Sequence, residues 1–293
     1  MQMNPYGKAR LRELLPHPSE GANKYTRGKL VLMAGSAAYP GAACLSALAS
    51  QRMGAGYTEV ITDKRAVETV RSVGPSLVVA SDEAWFDRPP AVATEKHPCA
   101  VAVGSGFDSG EGRTARLLFC ALEDADAPVL VDGGALGALA SDEGRALCKR
   151  RFVEGRPTVA TPHGGEAARL AKPFDLPCDD PSRLARSLSL AYGMVVVLKG
   201  PDTWISDGDD AFCMDEGTAA LSKAGTGDVL AGMIGSLLAQ GLDPLDACML
   251  GSTLHARAGK MAADELTDIC VSAEDVVRFL PHAIRSLSSE GGR

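Results

Sequence analysis

None of the eight cysteines stands in a C-x-x-C pair, and their wide spacing along 293 residues excludes the dense disulfide pattern of a small stapled scaffold. They read as reduced thiols in the core or at the surface. No compact run of lysine and arginine occurs and the net charge is -7, so a phosphate-backbone binder is disfavoured. A local basic pocket for a small anion stays open. The first twenty residues, MQMNPYGKARLRELLPHPSE, hold no apolar core of signal-peptide type, and no segment reaches the length of a membrane span. The expectation is a cytoplasmic protein with neither nucleic acid nor membrane as partner. Linkers, repeats and low-complexity tracts are missing too. So is the G-x-x-x-x-G-K-S/T phosphate loop, and MAGSAAYPGAA lacks the G-x-G-x-x-G spacing of a dinucleotide-dependent dehydrogenase.

What is present is an α/β rhythm. From Lys29 onward, short β-rich runs (KLVLMAG, YTEVIT, AVAVGSG, PVLVDGG, TVATPHGGE, MVVVLKG) alternate with Ala/Leu-rich stretches of helical character. PVLVDGG and MVVVLKG are continuously apolar, as strands covered on both faces are. After Gly200, TWISDG and DAFCMDEG are joined through Asp207, Gly208 and Asp209, which predicts a hairpin at the sheet edge; helices follow to the end. Hydrophobic residues at 45% and charged residues at 23% suit a globular chain. One domain over residues 1–293 is expected, with a short N-terminal extension (1–13) and a frayed tail (286–293).

The unusual residues gather at strand ends: Gly35 and Ser36, Gly104 to Gly106, Asp132, Thr161 to Glu166, Lys199 and Gly200. In a parallel sheet those ends share one edge, where ligands bind. Ser222 to Gly232, SKAGTGDVLAG, sets Gly225 and Gly227 ahead of a helix with apolar positions Val229, Leu230, Met233, Ile234, Leu237 and Leu238, stopped by Gly241. Unpaired amides at such a start attract phosphate. Asp228 is then either a helix cap or the base that takes a proton from an attacking hydroxyl, and the motif alone does not separate the two.

KAGTGDVLAGMIGSLLAQG resembles the late motif of the ribokinase-like superfamily and, within it, of the ADP-dependent (S)-NAD(P)H-hydrate dehydratases. KYTRGKLVLMAGSAAYPGAACLSALASQRMGAG, AVGSGFDSG, ATPHGGEAARL and VVVLKGPDTWISDG agree in order and spacing, so that the likeness runs from about Leu14 to Phe279. The resemblance implies a mostly parallel central sheet flanked by helices on both faces. It also implies restoration of NADH and NADPH from their hydrates NADHX and NADPHX, with ADP as co-substrate and Mg²⁺ as cofactor. By the same resemblance Asp228 is catalytic; Ala42, Ala43, Gly106, His163 and Asp228 contact the substrate; and Lys199, Gly200, Pro201, Asp202, Thr203 and Gly227 contact the nucleotide. The amides of Ala224, Gly225, Thr226 and Gly227 form an anion hole, and no side chain is assigned as a metal ligand. A homo-oligomer such as a tetramer is implied. So is a separate NAD(P)H-hydrate epimerase, for which the length leaves no room. Two departures stand out: Gly164 where the family has proline, and Gly133 and Gly134 where a second acid is usual. Rival readings are a thiazole- or hydroxymethylpyrimidine-type kinase of the same superfamily and a nucleotide-binding regulatory protein without chemistry.

Overall fold

The structure is a computed structural model that describes residues 6–86 and 90–289. Nine strands form one sheet: β1 (Lys29–Met33), β2 (Tyr57–Thr62), β3 (Val78–Ser81), β4 (Cys99–Val103), β5 (Val129–Val131), β6 (Thr158–Ala160), β7 (Val195–Leu198), β8 (Thr203–Ser206) and β9 (Ala211–Met214). Their order is β3-β2-β1-β4-β5-β6-β7-β8-β9. β1 to β7 are parallel, whereas β8 and β9 run antiparallel as the edge hairpin that Asp207 to Asp209 predicted. β4 is buried at every position, which is why it is apolar without alternation. The order reverses between β1 and β4. That is the switch point where a parallel sheet opens a crevice beyond its C-terminal ends.

The helices are α1 (Lys8–Glu13), α2 (Pro40–Arg52), α3 (Val67–Ser72), α4 (Gly112–Asp124), α5 (Gly134–Leu139), α6 (Asp142–Val153), α7 (Gly164–Ala171), α8 (Pro181–Tyr192), α9 (Thr226–Ala239), α10 (Pro244–Leu266) and α11 (Ala273–Ser289). Two apolar cores result, one on each face of the sheet. α2, α9, α10 and α11 build the first, and α4 to α8 the second. This is the ribokinase-like arrangement of a mostly parallel sheet with helices on both sides.

α9 differs from its sequence expectation of an apolar stripe. Every residue from Val229 to Ala239 is buried, because the sheet, α2 and α10 enclose it. Its small residues set those distances: a Cβ on Gly232 would lie 2.1 Å from the Ser46 carbonyl oxygen of α2. The tail also differs. α11 continues through Ser289 with Leu287 buried against the core, so apolar packing holds residues 286–289 helical where fraying was expected. Residues 290–293 lie outside the described residues, as do 1–5 of the N-terminal extension. The rest of that extension is tied down: Leu11 is buried, and Asp246 of α10 accepts hydrogen bonds from the Tyr6 hydroxyl at 2.8 Å and from Arg10 at 2.7 Å.

The eight cysteines are all free thiols, four of them buried. Among the described residues no helix is long and apolar enough to cross a membrane.

Candidate functional site

Three acid or cationic side chains from distant parts of the chain meet beyond the C-terminal ends of β4 to β7. Asp132, one residue past β5, is buried at 3% exposure. Its Oδ1 accepts from Lys199 Nζ at 2.9 Å and from Thr161 Oγ1 at 2.6 Å, and its Oδ2 from Ser105 Oγ at 2.9 Å. Burial opposes the Asp132 charge, but the Lys199 ammonium and these hydrogen bonds outweigh it and hold the carboxyl below the usual carboxylate range. Burial likewise opposes the charge on Lys199, while Asp132 and Glu166 hold it above the usual lysine value. Lys199 is therefore not a solvated strand-end lysine; it is half of a buried ion pair.

Asp228 faces the same group with the opposite outcome. Burial first, and then the neighbouring Asp132 charge, push its pKa up to about 7, against a lowering by Lys199 and by a hydrogen bond from Ser105. Two carboxylates beside one lysine cannot both be stabilised as anions, and Asp132 takes the lysine. Asp228 is left half-protonated near neutral pH, the condition for a general base.

The cap alternative for Asp228 does not hold. α9 begins at Thr226, the preceding position is Gly225 in the left-handed region (φ 94°), and no side chain caps the start. Asp228 lies in the first turn itself, and its carbonyl accepts from Ser46 Oγ at 2.8 Å, which fixes the turn against α2. Of the four amides expected as an anion hole, that of Thr226 is directed into a turn bond to the Lys223 carbonyl at 3.4 Å, and its hydroxyl is spent on the Leu221 and Lys223 carbonyls. The amides of Ala224, Gly225 and Gly227 have no backbone partner among the described residues, and neither has that of Asp228. Of the four amides expected, those of Ala224, Gly225 and Gly227 are therefore open to an acceptor, and Thr226 drops out because its N–H closes the turn that launches the helix.

A cleft of about 750 Å³ opens in front of this helix start. Of the residues expected at the nucleotide, Lys199, Gly200, Pro201, Thr203 and Gly227 line it, whereas Asp202 is exposed and does not. A Cβ on Gly227 would sit 3.4 Å from Lys199 Nζ, so the glycine keeps ammonium and amide close enough to share one phosphate. Several lining residues escaped the sequence, two of them with titratable side chains. Lys223 donates its Nζ to the Ile269 carbonyl at 2.6 Å, and His255, in the middle of α10, is buried with Nε2 2.9 Å from the Thr226 carbonyl oxygen. A carbonyl only accepts, so Nε2 carries the proton. Burial, and then Lys199, bring the His255 pKa down to about 4 against the pull of that bond, and the ring is neutral at physiological pH.

Ser105, whose hydroxyl reaches both Asp132 and Asp228, leads into a lip of small residues. A Cβ on Gly106 would come within 2.6 Å of the Ala42 Cβ and 3.3 Å of the Gly35 Cα, so glycine is required there. Ala43 is fully buried against Gly35, so its side chain does not face a ligand as expected, whereas Ala42 keeps a small exposed surface at 8%. His163 caps α7: its Nδ1 accepts from the Gly165 N–H at 3.0 Å while Glu166 accepts from the His163 N–H at 2.8 Å. The ring also lines the nucleotide cleft, and its side chain is 61% exposed.

Both departures from the family pattern have a structural reading. Gly133 has φ 53° and ψ -133°, a region closed to side-chain-bearing residues, and a Cβ on Gly134 would lie 2.2 Å from the Phe107 carbonyl oxygen. The local backbone therefore excludes a second acid. Gly164, by contrast, is the first residue of α7, has open space where its Cβ would be, and follows His163 in an extended conformation (φ -83°, ψ 171°). Proline fits both the first helical position and that predecessor. Gly164→Pro is expected to raise stability by about 0.4–1 kcal/mol through the unfolded chain. Chemical denaturation checks it, and a lower midpoint would show that the backbone at 164 is not free.

The family model for NAD(P)H-hydrate dehydratase matches residues 30–282. The ADP-dependent (S)-NAD(P)H-hydrate dehydratase of Xanthomonas campestris is 31% identical over 91% of this chain and 91% of its own length. The bifunctional NAD(P)H-hydrate repair enzyme of Mycobacterium leprae is 34% identical over 93% of this chain, which spans only 54% of that longer relative. Among solved structures, the ADP/ATP-dependent NAD(P)H-hydrate dehydratase of Bacillus subtilis, co-crystallized with ATP and Mg²⁺, superposes with a TM-score of 0.81 at 28% identity, covering 96% of this chain and 98% of that one.

Proposed function

This chain belongs to the NAD(P)H-hydrate dehydratase family, and on that premise we propose that it is an ADP-dependent hydro-lyase, returning the S-hydrates of NADH and NADPH to NAD(P)H with release of AMP and phosphate. The observation that carries the reading is the poised carboxylate of Asp228, between the phosphate-directed start of α9 and the small-residue lip at Gly106. Hydroxide is a poor leaving group. Asp228 takes the proton of the hydrate's hydroxyl as its oxygen attacks the terminal phosphorus of ADP, the bond from that phosphorus to the bridging oxygen breaks, and AMP leaves. Lys199 and the amides of Gly225 and Gly227 balance the phosphate charge. The ring nitrogen's electron pair then expels phosphate, and loss of a ring proton restores the double bond.

Ala42, Gly106 and His163 contact the hydrate on this reading, and Lys199 to Pro201, Thr203 and Gly227 the nucleotide. Among the described residues, no group of three or more His, Cys, Asp or Glu side chains is arranged to hold a metal. Mg²⁺ would enter with the nucleotide's phosphates and its own waters, and would screen the phosphate charge there. The chain acts as one unit over residues 1–293, in a homo-oligomer such as a tetramer, in the cytoplasm. A separate epimerase supplies the S-hydrate.

A small-molecule kinase would use the same cleft and base but stop after transfer. Family membership favours elimination. The test is recovery of reduced-nicotinamide absorbance from purified NADHX with and without ADP. Recovery that depends on ADP is expected; none with either ADP or ATP would overturn the reading.

A further inference from the structure

Arg113, at the start of α4, has one donor that the fold leaves over. Its Nε is paired with Asp82 and its Nη2 reaches the Gly35 carbonyl at 3.5 Å, with the guanidinium 4.7 Å from the centre of the Phe107 ring. Its Nη1 is buried and has no hydrogen-bond partner among the described residues. A buried guanidinium nitrogen left unpaired is costly, and such a group asks for an acceptor that arrives from outside the chain. The place narrows what that acceptor is. Gly35 packs against Gly106, so Arg113 stands directly behind the lip where the hydrate is held.

Arg113 also opens onto a cavity of about 380 Å³ that it shares with Asp82, Glu83, Phe86 and Arg116. The acids there are spoken for: Glu83 pairs with Lys64 at 2.8 Å, and nearby Asp63 with Arg65 at 2.8 Å. Glu111 acts on Arg65 from a distance. Arg116 lies over the Phe86 ring at 3.8 Å and has no ion-pair partner among the described residues. A forked donor beside a second arginine suits a phosphate oxyanion.

We propose that Arg113, assisted by Arg116, forms an anion subsite beyond the Gly35–Gly106 lip that takes a phosphate of the dinucleotide substrate. The proposal rests on the dehydratase reading and adds a residue that fixes the substrate's far end. Arg113→Gln is expected to raise KM for NADHX about tenfold or more, with kcat and the KM for ADP within about twofold. Arg116→Gln raises the same KM by a smaller factor. Asp82→Asn removes the ion-pair partner alone and leaves KM for NADHX unraised. Should Arg113→Gln fail to fold, Arg113→Lys, which keeps the charge and loses the fork, must still raise that KM.

An unchanged KM in these arginine variants, or an equal rise in Asp82→Asn, overturns the subsite. Wild-type turnover separates this from the underlying function. If the wild type restores no NADH, the dehydratase reading fails, and the subsite is then judged by calorimetric titration of inorganic pyrophosphate at saturating ADP. Weaker binding in Arg113→Gln than in wild type supports it, and equal binding overturns it.

Discussion

Asp228→Asn is expected to cut turnover by about 10² to 10⁴, the usual loss when a general base is removed, while nucleotide and hydrate still bind through the backbone amides and the lip. Its stability should move the other way. A carboxyl whose folded pKa is raised from 3.8 to about 7 contributes stability that is complete below about pH 4 and is lost as pH rises through about 7. Asparagine does not ionise, so the variant should melt like wild type in acid and higher than wild type above neutral pH. The ceiling is about 4 kcal/mol, reduced by whatever solvent screens the exposed part of the carboxylate. In wild type, kcat/KM should climb through about pH 7 as Asp228 loses its proton. Near-normal turnover in the variant, measured beside ligand affinity and melting, would remove Asp228 from the chemistry.

Lys199→Ala should damage both folding and binding. The buried Asp132 carboxylate would lose its cation, a change that costs about 3–5 kcal/mol when one partner of a buried pair is deleted. Nucleotide affinity should fall because Lys199 Nζ stands at the mouth of the anion-binding turn. Pairing Lys199→Met with Asp132→Asn separates the two roles, since it leaves no unpaired charge: melting should largely recover and nucleotide binding should not. Recovery of both would mean that the lysine serves only the fold, and recovery of neither that Asp132 also shapes the nucleotide cleft.

The fold was readable where local chemistry dictates it. Apolar runs with helical crossovers gave the parallel sheet, Asp207 to Asp209 gave the edge hairpin, and the glycines before Asp228 gave the start of α9. What stayed hidden depends on long-range encounters. Asp132 and Lys199 are 67 residues apart, and nothing in VDGGAL or VLKGPD says that they pair. His255 sits among Ser252, Thr253 and Arg257 in a buried stretch of a 23-residue helix, where its burial against Thr226 leaves no local signature. Arg151 of α6 is fully buried, donating to the carbonyls of Leu122, Ala125, Ala127 and Pro157, and nothing in KRRF sets it apart from its neighbours. Helical spacing in α9 announced one apolar face, but only the packing of three neighbours revealed that all faces are covered.

On the proposed mechanism, phosphate leaves the hydrate after it is transferred. Phosphorus NMR of wild-type protein with NADHX and ADP is the sharpest test. AMP and inorganic phosphate are expected in equal amounts, each matching the NADH formed, with no other phosphorus signal growing. A phosphorylated hydrate that accumulates and persists, with AMP but without phosphate or NADH, would contradict it.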